Sequence, residues 1–119
     1  MKVRRGDVVL ISHPFSDASG AKVRPVLVVQ NDADNGRITN TVVVTITKNL
    51  SRVGRVATQV LVDVSTPEGQ HSGLTMTSAV TCSNLFTVHE SRILKRLGYL
   101  PAVLMRQVDD GLKVVLNLP

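Results

Sequence analysis

Val23-Arg24-Pro25-Val26-Leu27-Val28-Val29-Gln30-Asn31-Asp32 is the stretch on which the fold reading turns. Six of its ten residues are aliphatic or Pro, and Val26 to Val29 run without a charge. A short, unbroken, β-branched run of this kind reads as a strand buried on both faces. Pro25 lacks a backbone N–H and biases Arg24 away from the helical region, so the run starts there as a strand. A strand over 24–30 is expected, with a guanidinium held at its entrance. Arg presents several donors in one plane and suits a phosphate. The alternative is an Arg paired with a nearby acid at the surface.

Upstream, Arg5-Gly6 reads as a turn opening into a first strand over 7–12, which His13-Pro14 ends. The loop from Pro14 to Lys22 is small and polar, with Gly20 near its tip. It is either a flap over a ligand or a long hairpin connection. Downstream, residues 30–40 form a polar connection carrying the turn signal Asn35-Gly36. A third, almost continuously aliphatic strand is expected over 40–47. Alternation places Val43, Thr45 and Thr47 on one face and Val42, Val44 and Ile46 on the other. The Thr47 hydroxyl then sits at a rim, as a ligand contact or simply as a good strand former. Next comes a loop with Lys48, Arg52 and Arg55 and no acid. Its charges suit a phosphate backbone, or are a solvated turn.

The second half is less regular. A fourth strand is expected over 56–64. Residues 65–72 are a loop or one helical turn, with Ser65 or Thr66 and Glu68 as its cap. Strands are expected over 74–81 and 84–88, then a short helix over 89–97 stopped by Gly98. Pro101 opens a final helix, with Leu104, Val108, Leu112 and Val115 at helical spacing. Gly111 weakens it by about 1 kcal/mol against Ala, so it relies on packing. The fold class is α+β, mostly β: an antiparallel sheet curled toward a small barrel, with two or more helices on it. The charge-poor runs 26–29 and 42–46 leave little to shield an exposed edge, which favours a homodimer.

A chain of 119 residues predicts a single domain over 1–119. Phe15, Phe86 and Tyr99 are its only aromatics, so the core must be Val, Leu and Ile. A lone cysteine, Cys82, excludes an intrachain disulfide and a cysteine metal cluster, and reads as a small core residue. No residue spacing suggests a metal or cofactor site. No run approaches the roughly 18 apolar residues of a membrane span. The basic N-terminus lacks a following apolar stretch and is not a secretory signal, so a cytoplasmic protein is expected. Net charge is +5. Up to residue 55, nine Lys and Arg stand against Asp7, Asp17, Asp32 and Asp34; from residue 56 onward five of each sign balance. A basic half suits nucleic acid, or keeps the protein in solution.

The order of Arg5-Gly6-Asp7 before a strand, a Pro- and Gly-containing loop, Arg24-Pro25-Val26 before a strand, and then Gln30-Asn31-Asp32 resembles the MazF/PemK family of bacterial toxins. The resemblance continues through Val42 to Thr47 and, more weakly, through Ser78 to Arg92. It implies an SH3-like barrel type of toxin fold with a C-terminal helix, found as a homodimer. It also implies a metal-independent ribonuclease that cuts single-stranded RNA and is blocked by an acidic antitoxin. In that family's reaction the ribose 2′-hydroxyl attacks the adjacent phosphate, leaving a cyclic phosphate and a 5′-hydroxyl.

Such chemistry needs a base, positive charge at the pentavalent phosphate and an acid for the leaving oxygen. By resemblance, Arg24 and Thr47 hold the phosphate. Asp17 is the first candidate base, with His13 and His71 behind it. Lys22, Ser19, Lys48, Arg52 and Arg55 are candidate RNA contacts. Some relatives carry Arg-Cys-Asp-Gln where this chain has Thr81-Cys82-Ser83-Asn84, so an Arg and an Asp are missing. Two alternatives follow: a weakened, RNA-binding member, or a protein-binding toxin like the related CcdB proteins, which poison DNA gyrase.

Overall fold

The structure is a computed structural model and describes residues 1–12 and 23–119. Six strands form one sheet: β1 (Asp7–Ser12), β2 (Val23–Val28), β3 (Asn40–Thr47), β4 (Gln59–Val62), β5 (Ser78–His89) and β6 (Ile93–Tyr99). Their order is β4-β5-β3-β2-β1-β6, and every pairing is antiparallel. The sheet curls without closing, since β4 and β6 stand at its two edges. A long helix, α3 (Ala102–Leu116), packs on one face; α1 (Asp32–Asn35) and α2 (Pro67–Gln70) are single turns.

Period-two alternation splits the core as the sequence requires. Leu27, Val44, Ile46, Val80 and Cys82 point toward Leu104 and Val108 of α3. Val9, Ile11, Val26, Val28 and Val43 fill the opposite side with Val88 and Ile93. The helix can approach because Gly111 lies over Cys82; a Cβ there would come within 2.7 Å of Sγ. Burial, and then the charge of Asp109, push the Cys82 thiol up to about 11, so it is a packing group.

Several expectations need correction. β2 stops at Val28, because the N–H groups of Val29 and Gln30 both donate to Val42 O (3.0 and 3.2 Å) and break the ladder. β4 spans only 59–62, with turns before it. The strands expected over 74–81 and 84–88 are one strand, β5, which begins only at Ser78 and is interrupted by a bulge; residues 74–77 precede it outside the sheet. Residues 26–28 and 42–46 lie in β2 and β3, which are flanked on both sides, so no exposed edge there argues for a dimer.

The largest miss is the helix expected over 89–97. Residues 90–92 are a 3₁₀ turn, capped by His89, and β6 follows. Val8 pairs with Gly98 and Val9 with Arg96; Leu10 pairs with Lys95 and Ile11 with Ile93. Leu97 and Leu94 are therefore the extra residues of two bulges. Their three-residue spacing imitates a helix face. Gly98 is not a helix stop: a Cβ there would lie 2.2 Å from His71 O, so it lets residues 71–73 pass close over β6. The cap on α2 was legible, with Thr66 Oγ1 accepting the Gly69 N–H at 3.0 Å.

The Arg5-Gly6-Asp7 signature holds the fold together. Arg5 Nε donates to Val29 O (2.8 Å) and its guanidinium pairs with Asp109 of α3 (2.6 Å). Buried Asp7 accepts the Arg4 N–H and pairs with Arg96 of β6. This tripeptide thus joins the strand entry to both the helix and the sheet edge.

Candidate active site

Val26 of β2 pairs with Thr45 of β3. Continuing that register by two residues sets Arg24 opposite Thr47, on the face that carries Val26, Val28 and Val43. Both line one open cavity of about 730 Å³, and Lys48 and Asn49 extend its rim. Pro25 explains the local geometry: it ends the run of ladder donors and holds the Arg24 backbone extended. Arg24 is exposed, and no carboxylate pairs with it among the described residues. The surface ion pair weighed for Arg24 is thus not seen there.

The other side of the cavity comes from the chain after α2 and from the bulge in β5. Gly73, Leu74, Thr75 and Met76 form one wall, and Met76 is 52% exposed at the mouth. Gly73 has φ +72, and a Cβ on it would meet Leu97 O at 2.1 Å, so this wall leans directly on β6. Asn84, from the bulge, reaches in and donates from Nδ2 to Thr45 Oγ1 at 3.2 Å. Thr47 Oγ1 accepts the Asn49 N–H at 3.1 Å.

Among the sequence candidates, the cavity brings together Arg24, Thr47 and Lys48. Arg52 and Arg55 are exposed in the turn that follows, outside the cavity wall. Asp17, Ser19, Lys22 and His13 lie outside the described residues. His71 is elsewhere: its ring stacks on Tyr99 at 5.1 Å, and its Nδ1 meets the Tyr99 hydroxyl at 3.2 Å. No carboxylate or imidazole stands among the described lining residues. Thr81 and Ser83, where some relatives carry charge, are not in the described wall either. Thr81 is buried and accepts from Gln59 Nε2 at 3.2 Å.

Sequence reasoning missed Thr45, Asn84 and the 73–76 wall. Thr45 had the clearest signal, since alternation puts it on the Thr47 face. Asn84 had none, because its placement depends on the bulge.

A family model for the PemK-like, MazF-like toxin of type II toxin–antitoxin systems matches residues 4–116. The chain belongs to this toxin family. Endoribonuclease MazF2 of Mycobacterium bovis and Endoribonuclease MazF6 of Mycobacterium tuberculosis are each 31% identical to it over 105 residues, 88% of either chain. Among solved structures, the M. tuberculosis toxin MazF-mt6 superposes with a TM-score of 0.74 at 25% identity, covering 95% of this chain and 98% of that one. A mycobacterial endoribonuclease in complex with its cognate antitoxin gives 0.78 at 23% identity, over 98% and 97% of the two chains; at that identity the likeness speaks for the fold. A MazF-like chain with endoribonuclease relatives is an RNA-cutting toxin rather than the gyrase poison weighed as the alternative.

Proposed function

We propose that this MazF-like toxin cuts single-stranded RNA without a metal, using the ribose 2′-hydroxyl as nucleophile. The O2′–P bond forms and the P–O5′ bond breaks. A base takes the 2′-hydroxyl proton, and the departing O5′ receives one. The products are a 2′,3′-cyclic phosphate and a free 5′-hydroxyl. Arg24 stabilises the charge that grows on the non-bridging oxygens, and Thr47 donates to the same phosphate. Arg24 is not the base, since a guanidinium stays protonated. Asp17 takes that role in this reading, with Lys22, Ser19, Lys48, Arg52 and Arg55 along the RNA backbone.

One observation carries the proposal: Arg24 and Thr47 reach a single cavity from adjacent strands, and Arg24 has no described carboxylate to neutralise it. That the neutral Thr81 and Ser83 lie outside the described wall favours an active enzyme over a weakened binder. In this reading, residues 1–119 act as one toxin domain, paired as a homodimer in the cytoplasm. An acidic antitoxin covers the basic half. Solved relatives include toxins held by their antitoxins, and no described helix is long and apolar enough to cross a membrane.

The test is to incubate the protein with a long unstructured RNA in EDTA and to identify the new ends. Cyclic phosphate beside 5′-hydroxyl is expected. Ends carrying a 3′-hydroxyl and a 5′-phosphate would refute the mechanism.

A further inference from the structure

Thr45 precedes Thr47 by two residues on the same face of β3 and lines the same cavity. A hydroxyl has one hydrogen to give and two lone pairs to receive. Thr45 Oγ1 receives the Asn84 Nδ2 proton at 3.2 Å, and Thr47 Oγ1 receives the Asn49 N–H at 3.1 Å. Neither hydroxyl donates to an acceptor among the described residues. Among the described residues, both hydrogens are thus unengaged and face the cavity side of β3.

Asn84 owes its position to the break in the β3–β5 ladder. Val44 pairs with Leu85 and Thr45 with Thr81, so residues 82–84 are looped out of the β3 register. Cys82 anchors the inner side of this bulge: its side chain is buried under Gly111, and its N–H donates to Thr58 O at 2.9 Å. Asn84 is thereby turned out to the cavity. Bulges commonly re-aim a side chain next to an active site. Here the re-aimed group is a neutral amide, which orients a hydroxyl without repelling a phosphate.

We propose that Thr45 is a second hydroxyl donor to the scissile phosphate and that Asn84 is the positioning residue that fixes its hydrogen toward the cavity. The inference rests on the ribonuclease reading above. Two hydroxyls and one guanidinium, carried by two paired strands, then surround the oxygens on which charge develops. Donors fixed in advance stabilise that charge without reorganising.

The experiment measures kcat and KM separately on a short single-stranded RNA carrying a cut site mapped with the wild type. Thr45→Val is expected to lower kcat about 10²-fold, the usual loss of one such donor, with KM within about threefold. Thr45→Ser, which keeps the hydroxyl, is expected to recover most of the rate. Asn84→Leu is expected to lower kcat about tenfold when Thr45 is present and not at all in the Thr45→Val background, because it acts only through that hydroxyl. Thermal unfolding of each variant identifies any that fails to fold, and Thr45→Ala then replaces Thr45→Val. Wild-type kcat in Thr45→Val or its replacement Thr45→Ala, a Thr45→Ser as slow as Thr45→Val, or an Asn84→Leu loss that is equal in both backgrounds, would overturn the inference. A wild type that leaves RNA intact would instead overturn the ribonuclease reading itself.

Discussion

The two ends of β3 are built from similar residue types and do opposite things. At the Asn40 end, polar groups close on one another. The Thr41 hydroxyl donates to Asn35 Oδ1 (2.7 Å), Gln30 Nε2 donates to the same oxygen (2.9 Å) and to Asn40 O, and Asn35 Nδ2 returns to Gln30 O (2.9 Å). Thr41 and Asn35 are buried, so this network is satisfied internally. At the Thr47 end the hydroxyls only accept from the described residues, and Arg24 and Lys48 are exposed. Among the described residues, polar side chains therefore bond to one another at one end and leave hydroxyl donors and cations without partners at the other. At the Asn40 end the partners come from residues 30–35, which fold back over the strand end.

If that contrast is right, mutations at the two ends should separate activity from stability. The largest effect belongs to Thr47→Val: RNA cleavage should fall by about 10²–10³-fold, while the unfolding free energy changes by less than about 0.5 kcal/mol. Steady-state kinetics with urea unfolding checks both halves. Asn35→Ala should do the reverse. It leaves the buried Thr41 hydroxyl without its acceptor, costing about 1–3 kcal/mol of stability, and the folded fraction should cut RNA at the wild-type rate.

Smaller effects sharpen the same contrast. Lys48→Ala removes one charge from the rim. It should weaken RNA binding a few-fold and flatten the slope of log affinity against log salt by about 0.7, the share of one single-strand phosphate contact. Binding titrations at several salt concentrations measure this. The smallest effect concerns Asp32 at the closed end. The Arg5 N–H, and then the Asn35 amide, hold its carboxyl below the ordinary 3.8. A lowered folded-state value means that its contribution is fully present above about pH 3.8 and is lost as pH falls through the depressed value. Asp32→Asn should therefore narrow the gap in stability between neutral pH and pH 3.

The sheet was largely legible in the sequence where hydrophobic period and burial agree. The bounds of β1 and β3 match the structure, and Pro101 with the spacing of Leu104 and Val108 places α3. Reading failed where bulges break the period. Leu94 and Leu97 are inserted residues, and an insertion in a strand mimics helical spacing in the one-dimensional pattern. The same cause hid Asn84, which enters the cavity only because the β3–β5 register slips between Val44 and Thr45. Arg24 and Thr47 were legible because both lie in regular strands whose pairing follows directly from alternation. The 73–76 wall was not, because it depends on a crossing that two glycines, Gly73 and Gly98, make possible.

In the proposed reading, the open end of β3 holds a phosphate site built on Arg24. The most direct test is cleavage of a long unstructured RNA in EDTA by wild type, Arg24→Ala and Asn35→Ala, each normalised to its folded fraction. The wild type and Asn35→Ala are expected to cut, and Arg24→Ala is expected to leave the RNA intact. Equal cutting by Arg24→Ala and the wild type would contradict it.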